Sequence, residues 1–227
     1  MSHAPVIAVD GPSGSGKGTV SRRLAAVLGW HLLDSGALYR LTALAANEAG
    51  IELDREDELA QIALDLDVEF DQTPDGGERI LYKKQDVTRD IRSETCGEDA
   101  SRVAVFPGVR DALVQAQRDF ARPPGLIADG RDMGTRIFVD APLKVFLTAS
   151  AAERAARRHK QLKDNDIDVS LAALLRDIEQ RDHRDASRAV APLVAADDAI
   201  TIDSTHLDAD AVVSQILALK NARLGIG

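Results

Sequence analysis

The stretch GPSGSGKGT, Gly11 to Thr19, follows directly on the apolar run Val6-Ile7-Ala8-Val9 and constrains this chain more than any other segment. Gly11, Gly16 and Lys17 satisfy the spacing G-x-x-x-x-G-K. Glycines there let successive backbone N–H groups turn inward around an anion. The helix that follows adds its positive end, and the lysine brings a point charge to the β- and γ-phosphates of a nucleotide. The context that this pattern requires is present. A strand-length run precedes it, and Val20, Leu24, Val27 and Leu28 recur after it at helical spacing until Gly29. The residue after the lysine is Gly18, where Ser or Thr ordinarily holds Mg²⁺, and Thr19 stands next. Which hydroxyl meets a metal therefore stays open, with Thr19 the candidate. The recipient of the phosphate also stays open.

The rest of the chain alternates strand and helix. Trp30 to Leu33 reads as a strand ending at Asp34, Ala37 to Ala49 and Glu56 to Leu66 as helices, and Pro107 to about Ala121 as another helix. Between them Val68-Glu69-Phe70, the turn residues DQTPDGGE and Arg79 to Tyr82 predict a small β-rich insert at about 67–92. Strands are expected at Leu126 to Ala128 ending in Asp129, at Lys144 to Thr148 and at Ala199 to Asp203. Ser150 and Glu153 have capping-box spacing at the start of a basic helix to about Lys163, and helices follow at Ser170 to Arg184 and Asp208 to Leu224. Near-continuous apolar strands alternating with helices mean a parallel sheet covered on both faces.

Composition narrows the partners. The net charge of −9 repels nucleic acid and anionic membranes, so neither is expected as a partner, and any phosphate site must build its own local positive pocket. The single cysteine, Cys96, allows no disulfide within the chain and no cysteine-rich zinc site. MSHAP is short and polar, and no apolar run approaches about 20 residues, so a cytoplasmic location is expected.

Who accepts the phosphate is argued from what the chain has and lacks. A guanine-reading N-K-x-D element is absent, and Asp129 is followed by Gly130-Arg131-Asp132 instead of the second acid usual in motor ATPases. The positive charges fall in patches: Arg40, Arg110, Arg131, then Arg154, Arg157, Arg158, His159 and Lys160, then Arg181, Arg184 and Arg188. Phosphoryl transfer spreads charge over the moving group, and guanidinium forks neutralise it bidentately. Taken alone, the cluster from Arg154 to Lys160 also fits a solvated helix face. Arg131 stands at the carboxyl end of a parallel strand, where open α/β sheets bind their ligands.

GPSGSGKGT, HLLDSGALYR, SRVAVFPGVR, GLIADGRDMGT and RDHRDASRAVAPL together resemble the bacterial cytidylate kinases, nucleoside monophosphate kinases that move the γ-phosphate of ATP to CMP or dCMP. The likeness runs through essentially the whole chain. It implies an α/β, P-loop NTPase-like three-layer fold with a five-stranded parallel sheet in the order 2-3-1-4-5, a β-rich monophosphate-binding insert and a short lid. One domain, 1–227, is expected, with its core at 1–66, 93–157 and 185–227, the insert at about 67–92 and the lid at about 158–184. The resemblance assigns Gly11, Pro12, Ser13, Gly14, Ser15, Gly16, Lys17, Gly18 and Thr19 to the ATP phosphates, and Arg157 to ATP. It assigns Ser35, Arg40, Ser101, Arg110, Arg131, Asp132, Asp185 and Arg188 to CMP, with the arginines of DSGALYR and DGRD on its phosphate. Ser101, Arg110 and Asp132 would read the cytosine edge, whose amine wants an acceptor and whose O2 and N3 want donors. Asp185 would hold the sugar hydroxyls, and Lys17, Arg131, Arg181 and Arg188 would neutralise charge during transfer. Mg²⁺ with ATP as co-substrate, a monomer and a place in pyrimidine nucleotide metabolism complete the expectation. The rival readings are a related small-molecule kinase acting on AMP, UMP or shikimate, and a nucleotide-dependent switch that hydrolyses ATP without an acceptor.

Overall fold

The computed structural model describes residues 4–72, 78–164, 168–187 and 192–225. In chain order its elements are β1 (Val6–Asp10), α1 (Lys17–Leu28), β2 (His31–Asp34), α2 (Ser35–Glu48), α3 (Glu56–Leu64), β3 (Val68–Gln72), β4 (Glu78–Tyr82), β5 (Gln85–Asp86), α4 (Thr88–Ile91) and α5 (Glu94–Val103). They continue as α6 (Pro107–Arg118), β6 (Leu126–Gly130), a π-helical turn at Met133–Ile137, β7 (Leu143–Thr148), α7 (Ala151–Lys163), α8 (Leu171–Ala186), β8 (Ile200–Asp203) and α9 (Ala209–Leu224). The chain forms two compact units, Met1–Leu32 with Ala121–Gly227, and Leu33–Phe120. Among the described residues no helix is long and apolar enough to cross a membrane.

The large sheet is ordered β2-β6-β1-β7-β8, with β1, β6, β7 and β8 in the first unit and the boundary between units falling within β2. Counted among these five strands alone, that is the expected order 2-3-1-4-5. β1 pairs in parallel with β6 and β7, and β7 with β8, with Asp10 opposite Gly130 and Phe146. Every residue of β1 and β6 is buried, which is why both read as unbroken apolar runs that end in acids or glycine. Ile7, Val9, Val20, Leu24, Ile127, Val145, Leu147, Val213 and Ile216 pack into one core between the sheet and helices α1 and α9. Each such side chain contributes ~1.5–3 kcal/mol by leaving water. Helices α7 and α8 pack on each other through a separate small cluster around Ala155, Leu162 and Leu174.

The second unit is built from helices and a small antiparallel sheet. β3, β4 and β5 pair in that order, with Val68 opposite Tyr82 and Leu81 opposite Asp86. These strands fall where the β-rich insert is expected, and the unit that contains them also takes in α2, α3, α5 and α6. Its core joins Ala37, Leu41, Ala45, Ile80, Tyr82, Val87, Ile91 and Cys96. α2 packs on α5, and α3 on α6.

Several elements depart from the sequence reading, α4 inside the expected β-rich insert among them. α2 begins at Ser35 instead of Ala37, because the Asp34 side chain caps it by accepting the Ala37 N–H at 3.1 Å. α5 carries Thr95, Gly97 and Ser101, all weak helix formers, and its helical state comes from the Ser93 cap and from packing on α2. The turn at Met133–Ile137 is closed by bonds from Ile137 N–H to Asp132 O at 3.2 Å and from Phe138 N–H to Met133 O at 2.7 Å. That five-residue spacing leaves no periodic trace in a sequence.

Candidate active site

The phosphate loop sits where β1 leaves the sheet. Gly11 has φ 149°, and a Cβ there would lie 2.0 Å from the Leu147 carbonyl oxygen, so only glycine lets the strand exit past β7. Gly16 has φ 93° and caps the start of α1, pointing that helix's N-terminus back over the loop. Lys17 is buried, and its ammonium donates to the Pro12 carbonyl at 3.1 Å. Gly18 faces Asp129 at the end of β6, and a Cβ at position 18 would come 3.5 Å from that carboxylate and 3.4 Å from the Arg22 guanidinium.

Side chains from α7 and from the segment after β8 grip the loop's carbonyls. Arg154 donates from Nη1 to the Ser13 carbonyl at 3.0 Å and from Nε to the Ala149 carbonyl at 3.0 Å. Its guanidinium also forks onto Asp182 of α8, with Nη1 to Oδ1 at 2.9 Å and Nη2 to Oδ2. With its side chain 4% exposed, Arg154 is an interior strut and not part of a solvated helix face. Arg157 donates to the Ser15 carbonyl at 3.4 Å and to the Ser204 carbonyl at 2.6 Å, while its Nε meets Glu153 at 2.8 Å. The Ser204 hydroxyl lies 3.0 Å from both the Ser15 and Thr148 carbonyls and gives its proton to one of them. Carbonyls held outward in this way leave the loop's N–H groups for an anion. Glu153 takes Arg157 instead of closing the capping box, of which only the Ser150 half forms, accepting the Glu153 N–H at 3.2 Å.

A cavity of about 420 Å³ opens beside the loop, lined by Gly16, Thr19, Arg157, Thr205, His206 and Asp208 among others. It is large enough for a nucleoside. The segment 204–208 is absent from the sequence-based site. Its only advance signal is its position at the carboxyl end of a parallel strand.

Further along the same unit, Arg131 donates from Nε to Asp185 of α8 at 2.6 Å. The arginine side chain is 21% exposed and the aspartate 2%. Asp132 follows, buried, at the head of the π-helical turn. α8 thus presents Asp182 to Arg154 and Asp185 to Arg131, with the half-buried Arg181 beside them. Arg188 lies outside the described residues.

The other expected acceptor residues belong to the second unit. Arg40 donates from Nη1 to the Ile91 and Ser93 carbonyls at 2.5 and 3.1 Å, and its guanidinium lies against Gly97, where a Cβ would come 2.8 Å from Nη2. Ser101 donates back to the Gly97 carbonyl at 3.0 Å. Arg110 is buried, donates to the Ala104 carbonyl at 3.1 Å and stands 5.6 Å over the Tyr39 ring. Ser35 is buried too, and donates to Gln117 Oε1 at 2.7 Å. Burial works against ionisation of Asp34, but the Arg92 guanidinium at 2.6 Å and the Ala37 N–H outweigh it and hold the carboxyl below its ordinary range. Gly97, Arg92 and Asp34 are not in the sequence-based site; Gly97 lies against Arg40 and its carbonyl accepts the Ser101 hydroxyl, and Arg92 pairs with Asp34.

Comparison with known proteins gives three findings. The family model described as Cytidylate kinase matches residues 7–222. A cytidylate kinase of Pseudomonas syringae pv. tomato is 59% identical over 216 residues, covering 95% of this chain and 94% of its own, and one of Aeromonas salmonicida is 53% identical over 222 residues, covering 98% and 96%. A crystal structure of an uncharacterized protein from Eubacterium ventriosum superposes with a TM-score of 0.52 at 16% identity, covering 96% of this chain and 99% of that one. At that identity the last likeness speaks for the fold alone.

Proposed function

The chain belongs to the cytidylate kinase family, and we infer that it is a phosphotransferase acting on CMP. The reaction proposed moves the γ-phosphoryl group of ATP to CMP or dCMP, giving CDP or dCDP and ADP. A phosphate oxygen of CMP attacks the γ-phosphorus in line, and the bond from γ-phosphorus to the β,γ-bridging oxygen breaks. That attacking oxygen is already anionic at neutral pH, so no general base is needed and no covalent enzyme intermediate forms. The observation that carries the acceptor is the run of relatives named cytidylate kinase across nearly the whole chain.

Each unit then has a task. In the first, Gly11 to Thr19 receive the ATP phosphates, and Lys17 leaves the Pro12 carbonyl for them. The cavity beside the loop takes the ATP nucleoside, with Arg157 on its wall. Arg131, Arg181 and Arg188 neutralise the moving charge, Asp132 meets the cytosine amine, and Asp185 meets the sugar once Arg131 releases it. In the second unit Arg40 contributes to binding the CMP phosphate, Ser101 and Arg110 meet the base, and Ser35 helps to line the site. Mg²⁺ accompanies ATP. Such an ion is carried chiefly by triphosphate oxygens and water. Thr19 is the candidate protein hydroxyl. The lid is assigned to about 158–184, the protein acts as a monomer in the cytoplasm, and neither nucleic acid nor membrane is a partner.

Steady-state rates across CMP, dCMP, UMP, AMP and shikimate test the reading. CMP is expected to give the highest kcat/KM, by about tenfold or more over AMP, the difference left when buried base-reading groups go unmatched. ATP turnover indifferent to CMP would end it.

Gly97→Ala tests Arg40 without touching it. The added methyl would collide with the far end of a flexible side chain, so the fold gives way cheaply, but the guanidinium must move. The expected result is a rise of about tenfold in KM for CMP, near 1.4 kcal/mol of lost contact, with KM for ATP unchanged and a shift in Tm of about 3 °C or less. An unchanged KM for CMP would remove Arg40 from the acceptor site.

A further inference from the structure

Asp10 is the last residue of β1 and stands directly before the phosphate loop. Nothing in its sequence setting distinguishes it from an ordinary strand end. In the fold it is 5% exposed, and its carboxylate accepts two backbone N–H bonds, from Met133 to Oδ1 at 2.8 Å and from Gly134 to Oδ2 at 2.8 Å. Those two amides open the π-helical turn that follows Arg131 and Asp132. One side chain thus ties the turn that directly follows both residues to the strand that carries the loop.

We propose that Asp10 is a positioning residue for the acceptor side of the reaction, its carboxylate holding the turn after Asp132 so that Arg131 and Asp132 present their side chains to CMP. This rests on the reading of those two residues as CMP ligands.

The surroundings show what that geometry costs. Burial pushes the Asp10 carboxyl up to about 6, against the pull of the two backbone bonds, with Asp132 raising it further and Lys17 lowering it. Lys144 of β7 is also close, since a Cβ on Gly134 would touch both its stem at 3.1 Å and Asp10 Oδ2 at 3.4 Å. Asp129 lies one residue before Gly130, the β6 partner of Asp10. A carboxyl whose folded value is raised is destabilising when ionised, and stability is recovered as pH falls through about 6 toward the ordinary 3.8. At neutral pH the charge on Asp10 therefore costs stability relative to the neutral acid, while its two N–H bonds hold the turn.

The test is Asp10→Asn, which copies the neutral acid and can accept only one of the two N–H bonds. With CMP as acceptor the expected result is a rise of about tenfold or more in KM for CMP. KM for ATP should stay within about threefold, and Tm at neutral pH should change little, the buried charge removed offsetting the N–H bond lost. The wild-type advantage in kcat/KM for CMP should shrink as pH falls through about 6, because wild type then carries the same neutral group, and this ratio cancels the titration of CMP itself. Kinetic constants equal to wild type overturn the proposal, and so does a joint loss of ATP use, CMP use and Tm, which would mark a purely structural acid. Wild type failing to use CMP would overturn the functional reading instead, so the two failures are distinct. Asp10→Ala, which removes both acceptors, should raise KM for CMP further still, and a value below that of the Asn variant also counts against the proposal.

Discussion

Lys17→Met is expected to lower kcat by about 10³-fold while the protein stays folded, the loss typical when a preorganised positive group is taken from a developing phosphoryl charge. The stem of the lysine is apolar and its replacement fills the same space. Its ammonium donates to the Pro12 carbonyl at 3.1 Å, a bond worth about 1 kcal/mol on folding. The loop's shape does not depend on that bond. It is set by the backbone at Gly11 and Gly16 and by Arg154, Arg157 and Ser204 on the outer carbonyls. ATP binding should therefore weaken far less than turnover. The check is kcat beside the Kd of a fluorescent ATP analogue and the Tm. A kcat within tenfold of wild type, or a Tm lowered by more than about 8 °C, would show that Lys17 serves the fold more than the reaction.

The parts of the molecule legible in advance are those where one backbone demand permits one residue type. At Gly11 a side chain would strike the Leu147 carbonyl, so the glycine in the motif reports a real contact. β1 and β6 are legible for a similar reason, since burial on both faces excludes polar residues until the strand ends. What is not legible depends on partners distant in sequence. Arg154 and Arg157 have the spacing of a charged helix face, and nothing local tells that Ser13, Ser15, Asp182 and Ser204 wait across from them. Asp10 looks like a strand end until the amides of Met133 and Gly134, more than 120 residues away, are set on its carboxylate. α5 hides because its helical state is imposed by the Ser93 cap and by α2, against its own residues. The motif strings name the positions proposed to meet ligands; Asp10, Arg92 and Ser204, which brace their surroundings, stand out in no such string.

Arg131→Met is the second change with a large expected effect, because Arg131 carries two burdens. As a guanidinium at the carboxyl end of β6 it is proposed to meet the CMP phosphate, and its loss should lower kcat/KM for CMP by about 10³-fold. It is also the partner of Asp185, at 2.6 Å, and that carboxylate is 2% exposed. Removing one member of a buried pair weakens what offsets the other's charge in a medium that penalises it, at a cost of about 3 kcal/mol. The two losses separate in the double variant. Asp185→Asn added to Arg131→Met removes the buried charge itself, so it should recover much of the Tm while leaving turnover with CMP as low as in the single variant, since no guanidinium returns. Unfolding midpoints and CMP kinetics on the four proteins of the cycle decide it. Turnover regained together with stability would mean that Arg131 acts only by holding α8. Stability that does not return would mean that the pair is not what Arg131 contributes to the fold. Turnover lost and stability regained would fit an arginine that Asp185 holds in reserve until a phosphate takes the place of the carboxylate.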